Sequence, residues 1–240
     1  MRYLLFDIDG TLTAGGSGGS LGPRAMNIAF EELHGIPDAF ATIRMAGKTD
    51  PIITREAFDL HGLTYSPNEE LRLRERYLVH LESILDTIEG RMRVLDGVHD
   101  VLGELTNRSD VVFGLLTGNW IDGARLKLVN AGLDGYFSDG AADDAWNPLG
   151  AFGNDAPTRP ELVPVAWRRF RERMGRDIAP EDTVIIGDTP LDIACARANG
   201  VHAVGVATGP FSADDLENAG ADTVLDGLVD VQAVIRVLVG

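Results

Sequence analysis

Short apolar runs alternate along the chain with longer amphipathic segments. A continuous apolar run bounded by turn residues is typical of a buried strand, and apolar residues that recur every three to four positions are typical of a helix packed on a core. The alternation predicts an α/β fold, a doubly wound, Rossmann-like parallel sheet. The predicted strands are Tyr3–Phe6, Val111–Leu116, Thr183–Ile186, His202–Val206 and Thr223–Leu225.

The segment from about Gly22 to Gly90 interrupts this alternation, because it shows helical periodicity and no convincing strand. We therefore predict an all-helical insert, residues 15–93, between the two parts of a core formed by residues 1–14 and 94–240. The glycine run Gly15–Gly19 is predicted to be a hinge at the entry to the insert. The predicted helices of the insert are Pro23–His34, Pro51–His61 and Asn68–Thr87.

Composition and charge exclude several classes of molecule as binding partners. With 240 residues, 45% of them hydrophobic, the chain can bury a sizeable core, and its single cysteine, Cys195, excludes an internal disulfide framework. The net charge of −16 argues against nucleic acid and anionic membranes, which both require a basic surface. No window approaches the length of a membrane span. We expect a cytoplasmic monomer or homodimer in which any anion site is built from local cations, amide dipoles or a metal.

Polar side chains follow three of the predicted strands at the edge where a parallel sheet binds ligands. Four of them are carboxylates, and like charges gathered at one edge repel each other unless a cation lies between them. Carboxylate oxygens are hard ligands, so the expected cation is Mg²⁺, together with a substrate phosphate. The residues at this edge are Asp7, Asp9, Thr11, Thr117, Gly118, Asn119, Asp188 and Asp192.

Three motifs, in this order, resemble the first, second and fourth motifs of the haloacid dehalogenase-like (HAD) hydrolase superfamily. They are Asp7-Ile8-Asp9-Gly10-Thr11-Leu12, Leu115-Leu116-Thr117-Gly118-Asn119 and Gly187-Asp188-Thr189-Pro190-Leu191-Asp192.

The helical insert is similar to the C1-type cap of the phosphoglycolate phosphatase and β-phosphoglucomutase branch, so the resemblance covers nearly the whole chain. The third motif of the superfamily is a Lys or Arg, often before proline. Arg159-Pro160 is its best match, with Arg168 and Arg169 as alternatives.

The resemblance implies a role for each of these residues. Asp7 is expected to be the nucleophile that forms an aspartyl-phosphate, and Asp9 the general acid and base. Thr117 and Arg159 complete the expected catalytic set, while Thr11, Gly118 and Asn119 are expected to bind the substrate. The expected metal ligands and their supporting residues are Asp7, Asp9 through its backbone carbonyl, Asp188 and Asp192.

A loop of the insert, Arg44 to Asp50, resembles the cap loop that faces the active site in this branch. Arg44 or Lys48 is therefore expected to reach the substrate. The alternative is a solvated turn before a helix capped by Asp50. Trp120, beside the second motif, either lines the pocket or, as we favour, packs ordinarily.

The function implied is an Mg²⁺-dependent phosphatase that acts on a small phosphorylated metabolite. Asp9 favours a phosphate ester over a haloacid, because the dehalogenases of the superfamily lack an acid there. The segment Thr13-Ala14-Gly15 departs from the Asp-Ser pair common in phosphoglycolate phosphatases, which weakens any transfer of substrate. The alternatives are a sugar phosphomutase of the same superfamily, a phospho-accepting signalling domain and a catalytically silent binding protein.

Overall fold

A computed structural model describes residues 1–15, 21–87, 89–138 and 146–240. Its main sheet has six strands in the order β5-β4-β1-β6-β7-β8, and every neighbouring pair is parallel. The first strand therefore lies inside the sheet, between β4 and β6. The strands are β1 (Arg2–Phe6), β2 (Thr13–Ala14), β3 (Arg93–Val94), β4 (Val111–Leu116), β5 (Gly150–Ala151), β6 (Thr183–Gly187), β7 (His202–Val206) and β8 (Thr223–Leu225).

Local signals in the sequence explain where several helices begin. Thr158, Thr189 and Ser212 each form a capping box with the acidic residue three positions later, which satisfies backbone N–H groups that a helix start leaves unpaired. The helices are α1 (Leu21–His34), α2 (Asp50–Leu60), α3 (Pro67–Leu85), α4 (Val98–Thr106), α5 (Ile121–Ala131), α6 (Arg159–Met174), α7 (Pro190–Asn199), α8 (Ala213–Asn218) and α9 (Val231–Val239).

Both faces of the sheet are covered, as the alternation of strands and helices predicts. Along β1, Leu4 and Phe6 point into one apolar cluster and Tyr3 and Leu5 into another, because successive side chains of a strand point to opposite faces. The first cluster includes residues of α4, α5 and α9, and the second includes residues of α6 and α7. The predicted fold class, a doubly wound α/β sheet, is confirmed.

Helices α1, α2 and α3 lie in the segment predicted to be the helical insert, and their apolar residues form most of a third cluster. Its centre is aromatic, with the rings of Phe30 and Phe58 5.4 Å apart at 79°. Trp120, which directly precedes α5, is fully buried in this cluster, and its ring lies 5.4 Å from that of Tyr77. The three predicted helices of this segment are found with ends shifted by two residues or fewer.

A short antiparallel ladder, in which Thr13 pairs with Val94, joins the chain before α1 to the chain after α3. Strands β2 and β3 were not predicted, because two residues are too few to establish a period. Strand β2 ends at the first proposed boundary, 14/15, and β3 spans the second, 93/94, but the division into two domains stays a prediction. Of the predicted glycine hinge only Gly15 is described; positions 16–20 lie outside the described residues, so the hinge stays a prediction.

Strand β5 was also missed, because Gly150 and Ala151 carry almost no side-chain signal. No helix in the described part of the chain is long and apolar enough to cross a membrane.

Candidate active site

A cavity of about 310 Å³ lies at the carboxyl ends of β1, β4 and β6. Its floor comes from the sheet edge and its opposite wall from the helical insert. Eight of the residues predicted from the sequence line it. They are Asp7, Asp9, Lys48, Thr117, Gly118, Asn119, Arg159 and Asp188.

Three carboxylates form a buried cluster in the floor. Oxygens of Asp7, Asp188 and Asp192 lie within 4.8 Å of one another, and the three residues are 5%, 1% and 0% exposed. Burial disfavours the charged form and raises the pKa of Asp7 to about 6, although the Arg159 guanidinium opposes the shift. Burial, with the charges of Asp7 and Asp192, raises the pKa of Asp188 to about 8.

Arg159 is the cation that faces this cluster. It opens α6 and is 5% exposed, and its Nη2 lies 3.2 Å from Oδ1 of Asp7 and also contacts Asp192. It donates to the carbonyls of Leu116 at 3.1 Å and Gly47 at 3.2 Å, so it bridges the sheet edge and the insert. Although burial alone lowers the pKa of Arg159, the charges of Asp192 and Asp7 raise it overall.

The two alternatives to Arg159 lie elsewhere. Arg168 is exposed and pairs with Glu172 at 3.8 Å, and Arg169 pairs with Asp155 at 2.6 Å. Neither is among the described residues that line the cavity.

Asp192 supports the cluster from below. Its Oδ1 contacts Arg159, and its Oδ2 accepts from the backbone N–H of Thr189 at 3.0 Å and from its hydroxyl at 2.7 Å. Since both oxygens already have protein donors, Asp192 is placed to orient Arg159 rather than to face the cavity. Thr11 is likewise buried beneath the floor, where its hydroxyl donates to Oδ1 of Asp188 at 3.3 Å.

The cluster fits a hard divalent cation. Its three carboxylates face a single guanidinium, which leaves uncompensated negative charge, and the donors are all oxygens, as Mg²⁺ prefers. The backbone holds the Asp188 carboxylate closely. A Cβ at Gly209 would lie 1.7 Å from Asp188 Oδ2, and one at Gly10, where φ is +85°, would lie 2.2 Å from the same oxygen. The Asp188 carboxylate is therefore fixed at the cavity floor.

Asp9 has different surroundings. Its side chain is 48% exposed, and its Oδ2 accepts from Lys127 Nζ at 2.6 Å and from Asn119 Nδ2 at 2.9 Å. Lys127, which is 4% exposed on α5, was missed by the sequence analysis. The available signal was its position on the buried face of that helix, which it shares with Gly123, Ala124 and Leu128. A lysine on an apolar face needs a partner.

The loop of the insert lies against the second motif. The N-cap of α2 is Thr49, so the alternative interpretation, a solvated turn before a helix capped by Asp50, is wrong. Asp50 is instead buried: its N–H donates to the Gly118 carbonyl and its Oδ2 accepts from Trp120 N–H, both at 2.8 Å. This burial raises the pKa of Asp50 to about 7.

Of the two expected substrate contacts in the loop, only Lys48 lines the cavity. Its Nζ lies 2.6 and 2.7 Å from the two carboxylate oxygens of Glu56. Arg44 is exposed and is not among the described lining residues. Trp120 packs in the apolar cluster of the insert, as expected.

Comparison with known proteins points to the same superfamily as the three sequence motifs. A family model described as HAD-hydrolase-like matches residues 160–231, which include Asp188 and Asp192. Phosphoglycolate phosphatase from Rhodospirillum rubrum is 27% identical over 231 residues, covering 94% of this chain and 87% of that protein. These matches confirm the resemblance to the HAD-like hydrolase superfamily that the three motifs indicate, and they identify the chain as an enzyme.

Further relatives agree with this assignment. The probable phosphatase IndB from Dickeya dadantii is 25% identical over 239 residues, covering 98% of this chain and 94% of that protein. A hydrolase from Pseudomonas syringae has the same fold, with a TM-score of 0.72 at 20% identity and full coverage of both chains. The structure of CbbY from Rhodobacter sphaeroides in complex with phosphate follows at a TM-score of 0.68, 18% identity and 96% coverage of each chain. At these identities the likeness of the solved structures concerns the fold.

Proposed function

We propose that this HAD-like enzyme is an Mg²⁺-dependent phosphatase that hydrolyses a small phosphate monoester through an aspartyl-phosphate. The observation that carries the proposal is the separation of two carboxylates in one cavity. Asp7 faces Arg159 and the acidic cluster, whereas Asp9 faces Lys127 and Asn119. Two carboxylates in different surroundings can perform different chemistry.

Asp7 has the surroundings of a nucleophile. Its carboxylate is buried, and the adjacent Arg159 favours the ionised form that attacks phosphorus. Attack forms the Asp7 Oδ–P bond while the bond from phosphorus to the ester oxygen breaks. The negative charge of the transferring phosphoryl group is neutralised by Arg159 and by donors near Thr117 and Gly118.

Asp9 has the surroundings of a general acid and base. Among the described residues, its side-chain contacts to Lys127 and Asn119 are both made by Oδ2, which leaves Oδ1 to exchange protons with the substrate. A protonated Asp9 gives its proton to the departing ester oxygen. The resulting carboxylate then takes a proton from the water that attacks the aspartyl-phosphate and regenerates Asp7.

Asp7 and Asp188 are the residues that would hold Mg²⁺, with Asp192 in support and the backbone carbonyl of Asp9 as a further ligand. A bound Mg²⁺ would neutralise charge on the phosphoryl oxygens. The Asp188 carboxylate is fixed by a hydrogen bond from the Thr11 hydroxyl and by the close approach of the backbone at Gly10 and Gly209.

The cavity suits a small substrate. About 310 Å³ accommodates a phosphoryl group and a short organic chain. The wall opposite the acidic cluster is largely apolar and includes Leu21, Met26, Met45 and Ile53. A small phosphorylated metabolite therefore fits better than a polymer.

The deciding experiment separates the two aspartates with para-nitrophenyl phosphate. Asp7→Asn should show no turnover, because an amide cannot form the acyl phosphate. Asp9→Asn should release a burst of nitrophenol and then stall, because an activated ester needs little leaving-group protonation whereas hydrolysis of the intermediate needs a base.

The stalled protein should gain the mass of one phosphoryl group, which hydroxylamine removes. No trapped phosphoryl group in either variant would contradict the mechanism. Isomerisation of sugar phosphates without phosphate release, measured in parallel, would instead identify a phosphomutase.

A further inference from the structure

A buried lysine on α5 closes a three-membered hydrogen-bond ring beside the cavity. Lys127 Nζ lies 2.6 Å from Asp9 Oδ2 and 2.7 Å from Asn119 Oδ1, and Asn119 Nδ2 lies 2.9 Å from the same Asp9 oxygen. None of the three motifs that identify the superfamily contains this lysine. Lys127 is 4% exposed and lines the cavity.

The ring fixes the orientation of the Asn119 amide. An ammonium group only donates, so the amide oxygen must face Lys127 and the amide nitrogen must face the other way. That nitrogen, Nδ2, also reaches Thr117 Oγ1 at 2.8 Å. Without the lysine, the two ends of the amide would no longer be distinguished by this contact.

The orientation of the amide in turn sets the role of the Thr117 hydroxyl. Thr117 Oγ1 accepts from Asn119 Nδ2 and, at 3.4 Å, from the Asn119 backbone N–H. With its oxygen accepting, the hydroxyl has its own hydrogen left to donate. Because Thr117 lines the cavity, this hydrogen can be donated to an oxygen of a group bound there.

Burying an ammonium group is costly, and the cost is offset only where charged and hydrogen-bonding partners surround it. Asp9 and Asn119 supply such partners. The lysine also lies against the helical insert, since a Cβ at Gly22 would be 3.6 Å from its Nζ. An apolar residue would fill the same place without these costs, so the lysine is better explained by its effect on the site.

We propose that Lys127 is a positioning residue that holds Asp9 and, by orienting the Asn119 amide, makes Thr117 a donor to the phosphoryl group. This inference rests on the proposed phosphatase function and adds a residue to it. Two predicted site residues, Asp9 and Thr117, then depend on one ammonium group. Arg159 contacts the nucleophile, Asp7, and Lys127 positions the general acid and base, Asp9.

The test uses Lys127→Met, which keeps length and removes the charge and the donors. Proton donation by Asp9 matters for an alkyl phosphate and little for para-nitrophenyl phosphate. We expect kcat/KM to fall about 100-fold or more for the alkyl ester and about tenfold or less for the nitrophenyl ester, in line with general acid catalysis. Inhibition by inorganic phosphate should also weaken.

Three comparisons separate positioning from general damage. Arg169→Met breaks a half-buried ion pair outside the cavity and should change both esters equally. Lys127→Arg keeps charge and donors and should restore part of the ester ratio. In a double-mutant cycle with Asn119→Ala, the effects of the two substitutions should be markedly non-additive, because they act on one network.

An unchanged ester ratio in a folded Lys127→Met protein, or strictly additive effects with Asn119→Ala, would overturn the proposal. Thermal unfolding of each variant establishes whether it is folded. If Lys127→Met does not fold, the ester ratio of Lys127→Arg is compared with that of the wild type instead. A wild-type protein that hydrolyses neither ester would contradict the proposed function itself, which is a different outcome.

Discussion

Arg159 Nη2 lies 3.2 Å from Asp7 Oδ1 in a region where both side chains are almost fully buried. The same guanidinium contacts Asp192 and donates to two backbone carbonyls, one from the sheet edge and one from the helical insert. One planar cation therefore compensates two buried carboxylates and joins two parts of the chain, which only a group with several donors in a fixed fork can do.

Replacing Arg159 by lysine tests this geometry. Arg159→Lys keeps the positive charge but supplies a single ammonium that cannot reach Asp7, Asp192 and both carbonyls at once. We expect kcat/KM to fall by about 100-fold, the scale of losing a preorganised donor to a transition state. Arg169→Lys, on the same helix but paired with Asp155 outside the cavity, should stay near wild type. Steady-state kinetics with para-nitrophenyl phosphate measures both, and equal losses would contradict the assignment.

The acidic cluster predicts a metal dependence. Activity should vanish in EDTA and return with Mg²⁺, and Mg²⁺ should raise the melting temperature of the wild type but not of Asp188→Ala. Asp177→Ala, which removes an exposed carboxylate that is not part of the cluster, should keep the shift. Full activity in EDTA would contradict the metal site.

The affinity of the same cluster for Mg²⁺ should depend on pH. Burial raises the pKa of Asp7 to about 6 and that of Asp188 to about 8. Both groups must lose their protons to bind a cation, so the affinity for Mg²⁺ should increase as the pH rises through this range. Calorimetric titration with Mg²⁺ at pH 5.5 and pH 8.5 measures the difference, and equal affinities would contradict it.

The sequence was sufficient for the fold class because parallel strands buried on both faces are continuous apolar runs, and β4, β7 and β8 were found at their predicted ends. The clustering of Asp7, Thr117 and Asp188 followed from the rule that strand ends meet at one edge. Lys127 could not be found in this way, because it lies within α5 and not at the end of a strand. The N-cap at Thr49 was missed because Asp50 is the more usual cap in isolation, and only tertiary burial against Trp120 assigns it another contact.

Asp50 predicts how the stability depends on pH. Burial raises its pKa from 3.8 to about 7 in the folded protein, so between these values the folded state keeps a proton that the unfolded state has lost. Its contribution to stability is therefore fully present below about pH 4 and is lost as the pH rises through about 7. Asp50→Asn keeps an acceptor for Trp120 N–H and does not titrate.

We expect Asp50→Asn to gain stability over the wild type by several degrees in melting temperature at pH 8, and by little at pH 4. Thermal unfolding across this range in EDTA measures the difference. Asp59→Asn, exposed on the same helix, should follow the wild-type curve. Parallel curves for the wild type and Asp50→Asn would show that this carboxyl does not cause the dependence.

Glu56 predicts which esters the enzyme accepts. Three cations are found among the described residues that line the cavity, Lys48, Lys127 and Arg159, and each is paired with a carboxylate. An ester that carries a second carboxylate therefore meets no unpaired cation there. We expect the wild type to prefer a phosphate ester with a neutral chain to the phosphate ester of a hydroxy acid.

Glu56→Gln should shift that preference, because it removes the carboxylate that holds Lys48 Nζ and leaves the ammonium group facing the cavity. The pair is partly exposed, so the gain is limited to about 1 kcal/mol, or about fivefold in kcat/KM for the acidic ester relative to the neutral one. The double variant Glu56→Gln with Lys48→Met should lose the gain. If the acidic ester improves equally without Lys48, a general change in the charge of the cavity and not the freed lysine is responsible.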